Sequence, residues 1–404
     1  MLFPSLILCG LVASEVMSRP LASAFIPEID TTGFLNPSIS YSAGGHAICV
    51  GGLVPIEVST SSAVKLQLPD QINQFASAQL LVDAQALNST TASELAAHTT
   101  STTQAFNISS RLCYPQIQAD LKRATTVQFL THGIGFSKTY WDFAAPDNSY
   151  IDAAALAGKV TFSYDRLGID KSTRPDPIQI VQGPTEIAVA HTLITLLRSG
   201  ELAGTSFKNI IGVGHSYGSA ISTSIAVSYP SDFDAVVLTG FATSKPGIGR
   251  FGSALNLIPA SSSPSGRFPD LADGYLLPST LSGVQYAFFN FPYLQTDILL
   301  QAFATIQTTT WGELLTMASL GGLALQFTKP VFVVDGESDV PFCDGNCSYP
   351  VNVPAETLKE AFPNADRNAS STLVLPRSAH GLNLGTTAPV LFSHIQVFIS
   401  ETGL

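Results

Sequence analysis

Asn209-Ile210-Ile211-Gly212-Val213-Gly214-His215-Ser216-Tyr217-Gly218 is the stretch on which the reading of this chain turns. An apolar run of strand character enters Gly-x-Ser-x-Gly and continues into the small residues Ser219, Ala220 and Ser222, as a helix packed close beneath a turn requires. Glycine on both sides of Ser216 fits a serine held in a strained backbone, where a neighbouring side chain would strike the strand or the helix. The Ser216 hydroxyl would then stand free above the end of a sheet. Five residues alone also suit an ordinary Gly-rich loop, so the weight falls on the remaining chain.

Of the 404 residues, 45% are hydrophobic and 12% charged, which supplies a large core and argues against disorder. A net charge of −11 with no basic run excludes a nucleic-acid footprint and leaves little attraction for an anionic membrane. Leu2 to Val12 has the length of a signal-peptide core, too short to span a bilayer, and Ala22-Ser23-Ala24 offers a cleavage site. Residues 1–24 are therefore expected to be a signal peptide, with the mature chain secreted and without stable membrane insertion. Asn88, Asn107, Asn346 and Asn368 stand in N-x-S/T triplets and are candidate N-glycosylation positions.

Cys9 leaves with the leader, and Cys49, Cys113, Cys343 and Cys347 form an even set that allows three connectivities. Cys343 with Cys347 and Cys49 with Cys113 is favoured, because the first pair closes a short Asp-Gly-Asn turn. Zinc is the competing use of the C-x3-C spacing, but no second Cys/His pair accompanies it, so no metal is expected.

Alternation of strand and helix implies a mostly parallel sheet with helices on both faces. Buried-type strands are expected at Thr125 to Leu130, Val160 to Tyr164, Ala235 to Thr239, Pro330 to Asp335 and Thr372 to Leu375, beside the strand before Ser216. Pro184 opens a helix that Gly200 closes. Alternation in Ile56 to Ser59, Val64 to Leu68 and Ala105 to Leu112 suggests antiparallel edge strands with a helix or long loop between them. Between Phe241 and Thr328 no strand is evident, and large aromatic residues are dense. The expected division is a core of 25–241, a mainly helical cap of 242–328 and a second core part of 329–404.

A serine hydroxyl is weakly nucleophilic without a base. Of seven histidines, His380 alone follows the final strand at the sheet end where Ser216 stands, with Gly381 letting its ring reach inward. The imidazole needs an acid to fix its tautomer. Asp339, beyond the turn Asp335-Gly336-Glu337-Ser338, is preferred, with Asp335 as the alternative because it can instead hold the turn by accepting backbone N–H groups. Oxyanion donors are expected at the backbone N–H groups of Tyr217 and Ile134.

These residues resemble the α/β-hydrolase superfamily, and in particular its secreted fungal members. The likeness rests on His132-Gly133, Tyr140-Trp141-Asp142, Asp165-Arg166-Leu167-Gly168, Gly214 to Gly218, Leu238-Thr239-Gly240, Gly336-Glu337-Ser338-Asp339 and His380-Gly381. It implies the α/β-hydrolase fold, with flanking helices and an inserted cap, and a serine hydrolase of esterase or lipase type that needs no cofactor. Its partner would be a small-molecule ester or lactone. Relatives commonly continue Asp-Arg-x-Gly with a further glycine where this chain has Asp170-Lys171-Ser172. Acyl transfer, cyclisation, carbon–carbon bond hydrolysis and non-catalytic small-molecule binding are the other activities that similar proteins carry.

Overall fold

The structure is a computed structural model that describes residues 29–68, 73–86, 88–116, 124–144 and 146–404. The expected leader, 1–24, lies outside the described residues. One sheet of nine strands organises the chain: β1 (Leu35–Tyr41), β2 (Ala47–Leu66), β3 (Ala96–Pro115), β4 (Thr126–Thr131), β5 (Val160–Tyr164), β6 (Asn209–His215), β7 (Ala235–Thr239), β8 (Val331–Gly336) and β9 (Ser371–Leu375). Their spatial order is β1-β2-β3-β5-β4-β6-β7-β8-β9. From β5 to β9 every pairing is parallel, whereas β1, β2 and β3 add to β5 as antiparallel neighbours. This is the α/β-hydrolase fold, a mostly parallel sheet with flanking helices.

Side chains alternate in direction along a strand, so a strand covered on both faces is apolar throughout. Val236 and Leu238 of β7 enter one hydrophobic core, and Ala235 and Val237 enter the other on the opposite face. The helix Gly183–Ser199 has Pro184 in its first turn and ends at Gly200 with φ 80°, the left-handed stop that glycine favours.

Strands β2 and β3 pair over almost their whole length, and the two helices Gln74–Gln85 and Thr91–Leu95 lie between them. Cys49 and Cys113 face each other directly in that ladder and form a disulfide; Cys343 and Cys347 form the second. The exposed edge strand β1 has no signal in the sequence reading, since it carries no buried face to impose alternation.

The segment between β7 and β8 corrects the expectation that it holds no strand. Beside the helices Ile248–Leu255, Leu281–Phe288, Thr296–Thr305 and Trp311–Thr316 it contains a small antiparallel sheet of Ile258–Pro259, Tyr275–Leu277 and Thr309–Thr310. Strands of two or three residues are too short to show a period. Phe251, Phe268, Tyr275, Phe288, Phe289 and Trp311 are buried in this segment, while Tyr286 and Phe291 are exposed. Among the described residues no helix is long and apolar enough to cross a membrane.

Candidate active site

Strand β6 ends at His215 and the helix Tyr217–Ser228 begins one residue after Ser216. Ser216 itself sits at φ 54° and ψ −117°, a conformation that costs about 1–3 kcal/mol and persists only where the surroundings enforce it. Its N–H donates to the Thr239 carbonyl of β7 at 2.9 Å, which fixes the turn to the neighbouring strand. A Cβ at Gly218 would lie 2.1 Å from the Thr131 carbonyl oxygen, so the helix starts this close to β4 only with glycine there.

Three separated loops meet at this turn. His380 Nε2 accepts from the Ser216 hydroxyl at 2.8 Å, and His380 Nδ1–H donates to Asp339 Oδ2 at 2.6 Å. The other Asp339 oxygen accepts from the Phe342 N–H at 3.0 Å, so both oxygens are engaged and the carboxylate cannot swing. Asp339 and His380 are fully buried, and Ser216 is half-buried. The rings of Phe251, Phe288 and Phe342 surround the imidazole at centroid distances of 5.3, 5.8 and 5.8 Å and hold its plane. Gly381 works by close approach rather than by unusual rotation. Its N–H donates to the Phe288 carbonyl at 2.8 Å, and a Cβ there would stand 2.8 Å from that same oxygen.

Asp335, the alternative acid, does not reach His380. Its Oδ1 accepts from the Phe241 N–H at 2.7 Å, while its buried Oδ2 has no partner among the described residues. Burial, followed by the nearby Asp339 charge, raises its pKa well above the usual carboxylate range. Asp335 lies close to Cys343 and Cys347, but those sulfurs are joined to each other and offer no thiolate to a metal.

Ile134 and Tyr217 line one cavity with Ser216, and neither backbone N–H meets an acceptor among the described residues. Behind them stands a buried charge cluster that the sequence reading did not assemble. Arg166 Nη1 donates to Glu186 at 2.6 Å and to Glu313, and its guanidinium lies 4.6 Å from the centre of the Tyr217 ring. Arg166 N–H also donates to His132 Nε2 at 3.1 Å, and Nη2 donates to the Gly133 carbonyl at 3.4 Å. Arg166 therefore contacts Tyr217 itself through its side chain and, through its backbone and side chain, the His132-Gly133 pair that precedes Ile134. Arg166 was visible in the Asp165-Arg166-Leu167-Gly168 motif, whereas Glu313 comes from the helix Trp311–Thr316, where nothing in the sequence marks it.

Removing the only cation of this cluster leaves two carboxylates buried together. Arg166→Met is expected to lower unfolding stability by about 3–5 kcal/mol, read as a fall in the urea midpoint. An unchanged midpoint would show that the cluster does not depend on the guanidinium.

Burial, with Glu313 adding to it against the opposing pull of Arg166, raises the Glu186 pKa from 4.5 to about 8. The folded chain thus keeps a proton that the unfolded chain releases. Its stabilising contribution is complete below about pH 4.5 and is lost as pH rises through about 8. The urea midpoint is expected to decline between pH 5 and pH 8.5, and Glu186→Gln is expected to flatten that slope. An equally steep decline in the variant would assign the effect to another group.

The cavity beside Ser216 has a volume of about 30 Å³, room for little more than one water, and its walls are otherwise apolar apart from Lys245. Size does not mark the site. A cavity of about 1110 Å³ lies elsewhere, between the helices Gln74–Gln85 and Ile248–Leu255.

Residues 129–390 match the model of the Alpha/beta hydrolase family, well over half of the chain. Among solved structures, a thermophilic esterase from Thermogutta terrifontis with malate bound is similar at a TM-score of 0.51 and 12% identity, over 73% of this chain and 94% of that one. An alpha/beta hydrolase fold protein from Chitinophaga pinensis has a TM-score of 0.48 and 15% identity, covering 73% and 94%. A monoacylglycerol lipase from Paleococcus ferrophilus has a TM-score of 0.46 and 13% identity, covering 68% and 94%. At such identities the likeness shows the fold alone. The search of curated proteins gave no match.

Proposed function

From the premise that the chain belongs to the alpha/beta hydrolase family, we propose that it is a secreted serine hydrolase that cleaves a carboxylic ester or lactone through an acyl-enzyme. The observation that carries this reading is the continuous chain Ser216–His380–Asp339, at 2.8 and 2.6 Å. His380 Nε2 takes the Ser216 proton as Oγ attacks the carbonyl carbon, and Asp339 stabilises the imidazolium so formed. Ile134 N–H and Tyr217 N–H receive the oxyanion; backbone donors of this kind are worth about 3–4 kcal/mol each in comparable sites. The tetrahedral intermediate collapses, the leaving alcohol takes the proton from His380, and water then releases the acid by the same steps in reverse order. Segment 242–328 serves as the cap, since Ile248, Phe251 and Met317 close the cavity over Ser216.

Two disulfides and the exposure of all four sequon asparagines, Asn88, Asn107, Asn346 and Asn368, support passage through an oxidising, glycosylating pathway. The test of the enzymatic reading is an alkyl fluorophosphonate, which should form one covalent adduct at Ser216, located by peptide mass. Absence of an adduct in folded protein would remove the serine mechanism.

A further inference from the structure

Lys245 lies in the connection between β7 and the helix Ile248–Leu255. It lines the cavity that holds Ser216, and it is the one charged residue there among Phe241, Ile248, Phe251, Met317 and other apolar walls. It also lines a second cavity of about 240 Å³, bordered by Thr243, Gly321 and Glu360, and Phe241 is the other residue common to both. Lys245 and Phe241 thus form the partition between the two spaces.

The Lys245 ammonium has no hydrogen bond or ion pair among the described residues, and it is more than half withdrawn from solvent. Glu360, the acid on the second cavity, is already engaged by the Thr243 hydroxyl at 2.5 Å. A withdrawn cation without a counter-ion is unfavourable for the fold, and burial holds its pKa below the usual lysine range. Elsewhere this chain pairs its buried cation, since Arg166 meets two glutamates. A lone cation against an apolar pocket suits a ligand that supplies the missing negative charge.

We infer that Lys245 receives an anionic group of the substrate, so that the ester cleaved at Ser216 carries a free carboxylate on its acyl chain. This inference rests on the serine hydrolase reading and names the substrate class of the same site. The closed cavity of about 30 Å³ holds no acyl chain, so the chain would enter as the Phe251, Ile248 and Met317 wall yields, and its terminal carboxylate would then meet Lys245 at the partition. The acidic substrate is thereby separated from neutral esters of equal length.

The test compares second-order rate constants for inactivation of Ser216 by two alkyl fluorophosphonates of one chain length, one ending in methyl and the other in carboxylate. The ratio of carboxylate to methyl probe is expected to exceed one in the wild-type chain. Loss of one charge-assisted hydrogen bond should lower that ratio about 10- to 100-fold in Lys245→Met, while Lys245→Arg should retain the preference. Each ratio is measured within one variant, so a partly unfolded fraction cancels. A ratio equal in the wild type and Lys245→Met overturns the inference and leaves the serine hydrolase reading standing. Failure of both probes to label wild-type Ser216 overturns that reading and the inference with it.

Discussion

Ser216→Ala is expected to abolish fluorophosphonate labelling and to lower ester turnover by about 10⁶-fold, the scale seen when a serine nucleophile is removed from an intact site. The residual rate, about 10³-fold over water, would come from oxyanion donors and binding alone. The substitution is a clean one. It deletes a single oxygen, and the position already holds a side chain at φ 54°, so alanine meets the same backbone constraint as serine. The Ser216 N–H bond to Thr239 and the helix that follows are untouched by the change. Unfolding measured beside activity should therefore move little, and a variant that still cleaves esters at a comparable rate would place the nucleophile elsewhere.

Asp339→Asn should cost about 10⁴-fold in turnover with small change in stability. Asparagine can turn its amide N–H₂ toward His380, and Nδ1 must then accept. The ring proton moves to Nε2, where it faces Ser216 and can no longer take the hydroxyl proton. Asp335→Asn is the control. An amide of the same shape can still accept the Phe241 N–H, so turnover should fall less than about tenfold. If Asp335→Asn proved the more damaging of the two, the acid would have to be reassigned.

Much of this arrangement could be read before any coordinates, and the reason is local. The strands from β4 to β8 are buried on both faces and announce themselves as short apolar runs leading into Gly, Asp or His, and the part-exposed edge strand β9 is a further short run of the same kind. Since they are parallel, those endings fall at one edge, so Ser216, Asp339 and His380 could be placed together from chain order alone. Between Asp339 and Asp335 the contacts favour Asp339 as the proposed acid, since Asp335 turns to the Phe241 N–H and Asp339 to His380. The short strands at Ile258, Tyr275 and Thr309 were hidden by their length, and β1 by its exposure. Glu313 was hidden because its partner Arg166 lies far away in sequence, and spacing carries no record of such a pair.

The Glu313 carboxylate has a mechanical meaning as well as an electrostatic one. It anchors the helix Trp311–Thr316 to the sheet through a guanidinium wholly withdrawn from water, and it also accepts from the Thr310 N–H at 2.8 Å. Lifting that helix would part a buried ion pair and leave the Arg166 guanidinium without the Glu313 charge. The helix Ile248–Leu255 is tied more weakly, its Arg250 meeting Asp344 in a half-exposed contact. If 242–328 is the cap proposed above, admission to the water-sized chamber is expected to proceed by yielding on the Ile248 and Phe251 flank, with the opposite flank acting as a fixed jamb.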